Sequence, residues 1–405
     1  FFTRPTRGDE MLSTGIGLLL LSLISGDALV ICGGDLAHID TESGTVTPSV
    51  GVLHTYPNDI AIHDGYAFVV NSGSDSGTLQ RFEMDTWTLV EMGMGTGWNC
   101  WASLPLSNGN LAVSATLNNS IAVVDPVTMT VTGSIAGTGP NPEWMAEDEG
   151  TLYAACGGWG TGNSVVVTDI SAGITTDTLT AGTNCQSVVI ADDGRLFVTC
   201  SGTYGSNNGS VVVIDPASGS IISELEVGGF PAWSTAAGNT FYTADPWGGG
   251  VFSIDMTSLE VLHSSSNPFC SGGNGLAADD QGNLWVSDTA AGQVRVYDQS
   301  GTLVQTYTVT TPGPLAVSGS LSGISSEGGS VVSITRVSPN PAASSIAVTG
   351  VPAGVSVAVF DITGRKVAEG QGSNGTAELS VGHLPQGLYN AVCGNSCARF
   401  TVTAR

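Results

Sequence analysis

The chain has 405 residues and a formal charge of −25, yet charged residues make up only 11% of it and glycine occurs 56 times. Between positions 29 and 320 there are 28 Asp and Glu against three cations, Arg81, Arg195 and Arg295, and the only lysine is Lys366. Such a surface repels phosphate backbones and argues against nucleic acid as a partner, while the glycine-rich composition, with no amphipathic helical pattern after the N-terminus, argues for short β-elements joined by tight turns.

Residues 1–28 read as a leader. Arg4 and Arg7 precede Met11, and an apolar run of about nine residues from Ile16 ends in Ser-Gly-Asp-Ala28, too short to span a bilayer and the right length for a signal-peptide core. The mature protein is therefore expected to begin near Leu29, exported and not membrane-spanning.

From there one phrase recurs. Val211-Val-Val-Ile-Asp215-Pro-Ala-Ser-Gly219 is a β-branched run, an acid and a small-residue turn, followed by β-formers again. Related phrases place an acid at 40, 83, 125, 169, 215, 255 and 298. A spacing in the low forties made of short strands predicts one four-stranded β-propeller blade per repeat, hence seven blades. In the best-defined repeat, Pro57–His63 reads as the innermost strand, Asp64-Gly65 as a hairpin turn, and Tyr66–Val70, Thr78–Phe82 and Trp87–Glu91 as the next three strands. The N-terminus enters out of phase. Leu29–Gly34 matches a second strand, and the missing first strand appears at Pro314–Val317. The ring is therefore expected to close with three N-terminal strands and one C-terminal strand in a single blade, leaving no open edge. The expected fold is all-β: a propeller over 29–320, a Ser/Gly linker over 321–330, and a small β-sandwich over 331–405.

The repeats resemble the secreted YVTN/YncE-like family of seven-bladed propellers, related to the NHL and lactonase-like propellers, although Tyr-Val-Thr-Asn itself is absent. The tail is more specific. Val337-Ser-Pro-Asn-Pro341, Val357-Ala-Val-Phe-Asp361-Ile-Thr-Gly-Arg365 and Leu384-Pro-Gln-Gly387-Leu-Tyr389 resemble the C-terminal sorting domain of type IX secretion cargo. That resemblance implies an Ig-like sandwich read by an outer-membrane export machine, and a protein secreted or attached at the outer surface.

Eight cysteines in an exported chain suggest disulfides. Blade alignment pairs Cys185 with Cys200 in one hairpin, proposes Cys100–Cys156 and Cys32–Cys270 by a shared geometric relation, and leaves Cys393–Cys397 for the tail hairpin.

Six of the eight tryptophans, Trp98, Trp101, Trp144, Trp159, Trp233 and Trp247, fall in loops or strand ends that open on one propeller face, with Tyr56, Tyr204, Phe230 and Phe269 near them. Such a rim marks a binding surface, and Trp faces stack on sugar rings. The same rim gathers Asp59, Asn71, Asp75, Glu143, Asp245 and Asp288; Asp59, Asn71, Asp245 and Asp288 are candidate Ca²⁺ ligands, although no loop carries a calcium signature. No other cofactor is expected. Three readings result. In the first, the propeller binds a glycan or other surface polymer through its Trp-rich face. In the second it is a calcium-dependent lactonase- or lyase-type enzyme, with His54 or His263 as a base. In the third it is a structural adhesion or interaction module with no small-molecule site, its partner a protein or another surface ligand.

Overall fold

Apolar residues alternate along the repeat strands, but both alternating sets are hydrophobic, so each strand must be covered on two faces. The computed structural model describes residues 27–403 apart from 74–75, 137, 319–335, 341, 352–354, 362–365, 374 and 394–395. The expected linker, and the leader up to residue 26, lie outside the described residues. Two compact units divide between Ser325 and Ser326.

The first unit is a seven-bladed propeller of antiparallel sheets. The innermost strands of blades 1 to 7 are Leu315–Val317, Pro57–His63, Cys100–Pro105, Pro142–Asp148, Cys185–Ile190, Trp233–Ala237 and Gly275–Ala278, and each contacts the next around the ring. Blade 1 closes the circle as its sequence phase requires. Asp27–Cys32 lies between Leu315–Val317 and Asp35–Asp40, with Leu29 opposite Ala316. Asp27 and Ala28, which the sequence reading left in the leader, belong to this strand: Asp27 N–H donates to Ser318 Oγ at 2.6 Å, and Ala28 is paired with Val317.

Period-two alternation feeds two different cores. Leu29 and Ile31 pack toward blade 2 with Val69 and Phe82, whereas Ala28 and Val30 pack toward blade 7 with Trp285 and Val296. A separate apolar cluster fills each gap between neighbouring blades.

The recurring acids cap turns between third and fourth strands. Asp215 accepts from Ala217 N–H at 3.0 Å and Ser218 Oγ at 2.7 Å, and Asp40, Asp125, Asp169, Asp255 and Asp298 do the same in their blades. These hydrogen bonds, from the Ser43 hydroxyl to Asp40 and the Thr128 N–H to Asp125 for example, hold the carboxyls below their ordinary value. The inner hairpin Asp64-Gly65 takes positive φ at both residues, 48° and 79°, a conformation glycine adopts without cost. Blade 6 departs from the repeat: its outer strand is cut to Val261–His263, and a short strand Cys270–Ser271 pairs with Gly250–Val251 instead.

The second unit is a seven-stranded, nearly closed sheet whose interior holds Ile346, Val348, Val357, Leu379, Tyr389 and Phe400. Ala342 bridges to Val402 at the open side. Among the described residues no helix is long and apolar enough to cross a membrane.

Candidate functional site

Blades 2 to 5 share an irregularity that sequence periodicity does not reveal. Each inner strand carries one extra residue near its start, between Pro57 and Asp59, Cys100 and Ser103, Pro142 and Met145, and Cys185 and Ser187. Such bulges break strict alternation and re-aim side chains. Four consecutive bulges at one end of the inner strands turn Trp101, Glu143 and Trp144 out of the regular pattern at the mouth of the central channel.

The Trp144 ring lies 5.7 Å from Trp101 at 73° and 5.6 Å from Trp233 at 67°. Trp233 stacks on Trp247 at 6.5 Å, Trp247 meets Phe230 at 5.3 Å, and Phe230 meets Tyr204 at 5.8 Å. Six rings thus form a continuous ribbon from channel to rim. Its outer end is open, with Trp247 69% and Tyr204 88% exposed. At the inner end the indole N–H groups of Trp101 and Trp233 are buried without a partner. Trp159 stands apart on the turn Gly158–Gly160, 63% exposed at a φ of 56°, with its N–H on Asn141 Oδ1. That left-handed backbone is unusual for a bulky residue. Trp98 is half-buried and packs against the core between blades 2 and 3, apart from the ribbon. Phe269 likewise fills the gap between blades 6 and 7, against Tyr242 and Tyr297.

One carboxyl, Asp59, stands beside the inner rings, and a second, Glu143, precedes Trp144 on the same bulge. Asp59 accepts Ser103 N–H at 2.8 Å and Trp144 Nε1–H at 3.4 Å, and burial pushes it up to about 6. Glu143 is 5% exposed, one of its oxygens has no partner, and burial pushes it up to about 8.

The four expected calcium ligands do not form a common cradle. Asp245 accepts the N–H groups of Phe230, Trp247 and Gly248. Asp288 is taken by the Arg295 guanidinium, a cation where a metal ligand needs none. Asn71 donates to Gln80, while Asp59 is bound as above. No group of three metal-ligating side chains occurs among the described residues. Asp75 lies outside those residues. Neither histidine is placed to act in the channel. His54 pairs with Glu91 on the outer strand of blade 2 at 2.9 Å, and His263 sits on the outer strand of blade 6 against Ser253.

None of the seven described cysteines is joined to another. Cys185 and Cys200 are directly opposed in register, with Sγ atoms 3.6 Å apart. The pairs Cys100–Cys156 and Cys32–Cys270 do not meet. Cys100 lies in the core between blades 2 and 3, and Cys156 donates to Thr138 O within blade 4. Cys32 packs on the core between blades 7 and 1, whereas the extra strand of blade 6 carries Cys270 to the gap between blades 6 and 7. Burial pushes the thiols of Cys100 and Cys156 up to about 12, away from reactivity. In the tail the backbone pairs Cys393 with Ser396, and the Cys397 side chain lies outside the described residues. Under oxidising conditions we expect Cys185 and Cys200 to join. A closed loop of 15 residues stabilises by about 3 kcal/mol. Mass spectrometry should show the loss of two hydrogens with a raised Tm, and Cys200→Ser should abolish both.

Comparison with known proteins fits this architecture. Residues 119–318 match the SMP-30/gluconolactonase/LRE-like region, and residues 336–401 match the secretion system C-terminal sorting domain. A protein from Lactobacillus plantarum superimposes with a TM-score of 0.55 at 16% identity, covering 73% of this chain and 99% of that one. Hydrazine synthase from Kuenenia stuttgartiensis gives 0.53 at 18%, covering 64% and 88%. Virginiamycin B lyase from Staphylococcus aureus gives 0.50 at 15%, again covering 64% and 88%. At these identities the likeness is one of fold. No curated protein matches in sequence. The sorting domain implies interaction with the type IX secretion machinery and export to the cell surface or the medium. The chain is an exported seven-bladed β-propeller, residues 119–318 of which match the SMP-30/gluconolactonase/LRE-like region, followed by a C-terminal secretion-system sorting domain over residues 336–401.

Proposed function

We propose that the propeller is a binding module for a glycan or related surface polymer, held along the aromatic ribbon on one face. The observation that carries this reading is the ribbon of Trp101, Trp144, Trp233, Trp247, Phe230 and Tyr204, exposed at its outer end and lined with unpartnered N–H donors at its inner end. Exposed rings of this kind stack on the apolar faces of pyranoses, and the orphaned indole donors suit hydroxyl oxygens. Trp159, beyond the ribbon on its strained turn, extends the same face. A calcium-dependent hydrolase finds less support, because Asp245 is held by three backbone amides and Asp288 by Arg295 and Ser271.

The test is titration of the full chain with a polysaccharide panel, followed by tryptophan fluorescence and calorimetry. A bound polymer is expected to shift the emission. Trp247→Ala, on an exposed ring, should weaken binding about tenfold, the loss expected for one aromatic hot spot, with Tm unchanged. Undiminished binding in the double variant Trp247→Ala/Trp144→Ala would remove the ribbon from the site.

A further inference from the structure

Trp144 occupies a position open to no ordinary core residue. It belongs to blade 4, yet its ring touches Trp233 of blade 6 and its N–H reaches Asp59 of blade 2. Blades 3 and 5 intervene on either side, so these contacts cross the channel mouth itself. Trp101 and Trp233 stand edge-to-face on Trp144, at 73° and 67°. Three indoles from blades 3, 4 and 6 thus meet at one place.

The titratable side chains at the bulges of blades 2 and 4 are both carboxyls. Glu143 is 5% exposed with an oxygen that accepts nothing, and Asp59 is tied to Trp144. The propeller's cations are spent elsewhere. Arg81 donates to the carbonyls of Pro126 and Val127, Arg195 pairs with Asp193, and Arg295 pairs with Asp288. The histidines face Asp27, Glu91, Asp64 and Ser253. No lysine occurs between residues 29 and 320. Buried carboxyls without a counter-charge are costly, and a cation brought by a ligand offsets that cost. Aromatic faces attract the same cation, and most strongly when it is a weakly hydrated organic ammonium. A chain of net charge −25 draws cations toward the mouth and repels anionic polymers.

We propose that Trp101, Trp144 and Trp233, with Asp59 and Glu143, receive an organic ammonium group, so that the polymer bound on the rim is one bearing amino sugars. This deepens the glycan reading and rests on it for the polymer, though not for the ammonium. Burial lifts both carboxyls, as is expected where a counter-ion is lacking.

The experiment titrates the full chain with choline, glucosamine oligomers, N-acetylglucosamine oligomers and cello-oligosaccharides, read by tryptophan fluorescence and calorimetry in 150 mM salt to suppress non-specific charge effects, at roughly physiological ionic strength. We expect choline to bind and to compete with glucosamine oligomers, and these to bind about tenfold more tightly than their acetylated counterparts. Asp59→Asn and Glu143→Gln should each erase that preference while the variants stay folded by circular dichroism. Binding of choline without any oligosaccharide would uphold the ammonium site and overturn the glycan reading. Equal binding of acetylated and free-amine oligomers, with no response to choline, would overturn the ammonium site and leave the glycan reading standing. Silence toward all four would overturn both.

Discussion

Replacing Glu143 by Gln is expected to stabilise the protein, and to do so more at pH 8 than at pH 5. The folded chain holds the Glu143 proton up to about 8, while the unfolded chain releases it near the ordinary 4.5. Between those values the folded state binds more protons than the unfolded state, so stability falls as pH rises through that window and levels off above it. By pH 7 the cost is on the order of 3 kcal/mol, and the Gln variant escapes it. Chemical denaturation at pH 5, 7 and 9 measures the effect. The variant's advantage should widen from the first to the last. Parallel profiles for the two proteins would show that Glu143 ionises freely. A buried acid whose ionisation is this costly is a functional-site candidate.

The opposite result is expected at Trp285. This indole is fully buried in the gap between blade 7 and blade 1, stacked on Tyr307 at 5.8 Å and 6°. Its N–H donates to Asp279 Oδ2 at 3.0 Å, and Asp279 is itself buried, holding the Asn283 side chain and backbone of its turn. Trp285→Ala leaves a cavity and is expected to cost about 3–5 kcal/mol, with a further loss because Asp279 forfeits a donor. Trp285→Phe separates the two terms. It restores most of the volume and leaves the missing hydrogen bond, so its cost should be about 1–3 kcal/mol. Urea denaturation followed by far-UV circular dichroism distinguishes these values. Equal costs for Ala and Phe would assign the whole effect to Asp279.

Much of the scaffold was legible because blade architecture repeats. The β-branched run, the capping acid and the turn recur, and the lone second strand at the N-terminus had to find a first strand elsewhere. The site was less legible. Trp98 and Trp101 stand three residues apart, yet one packs against the core between blades 2 and 3 and the other meets Trp144, because Trp101 lies in the bulge between Cys100 and Ser103. A bulge depends on pairing with the next strand, and these four carry no glycine signature. Asp245 and Asp288 occupy equivalent strand ends, but equivalence in the repeat did not make them neighbours: their own turn amides and Arg295 satisfy them. The cysteine relation failed at blade 6 because an extra strand there shifts Cys270 out of its repeat position. Among the described cysteines, Cys185 and Cys200, joined by one hairpin and independent of any comparison between blades, meet as the repeat pattern requires.

The seal of the ring also orders events in time. The strand Leu315–Val317 is the last part of the propeller to leave the ribosome, and until it arrives Asp27–Cys32 has an unpaired edge. The sorting domain follows only after it, from residue 336. A chain broken off before residue 315 therefore carries neither its closure nor its export address, so the machinery that reads the address meets only chains already able to complete the circle.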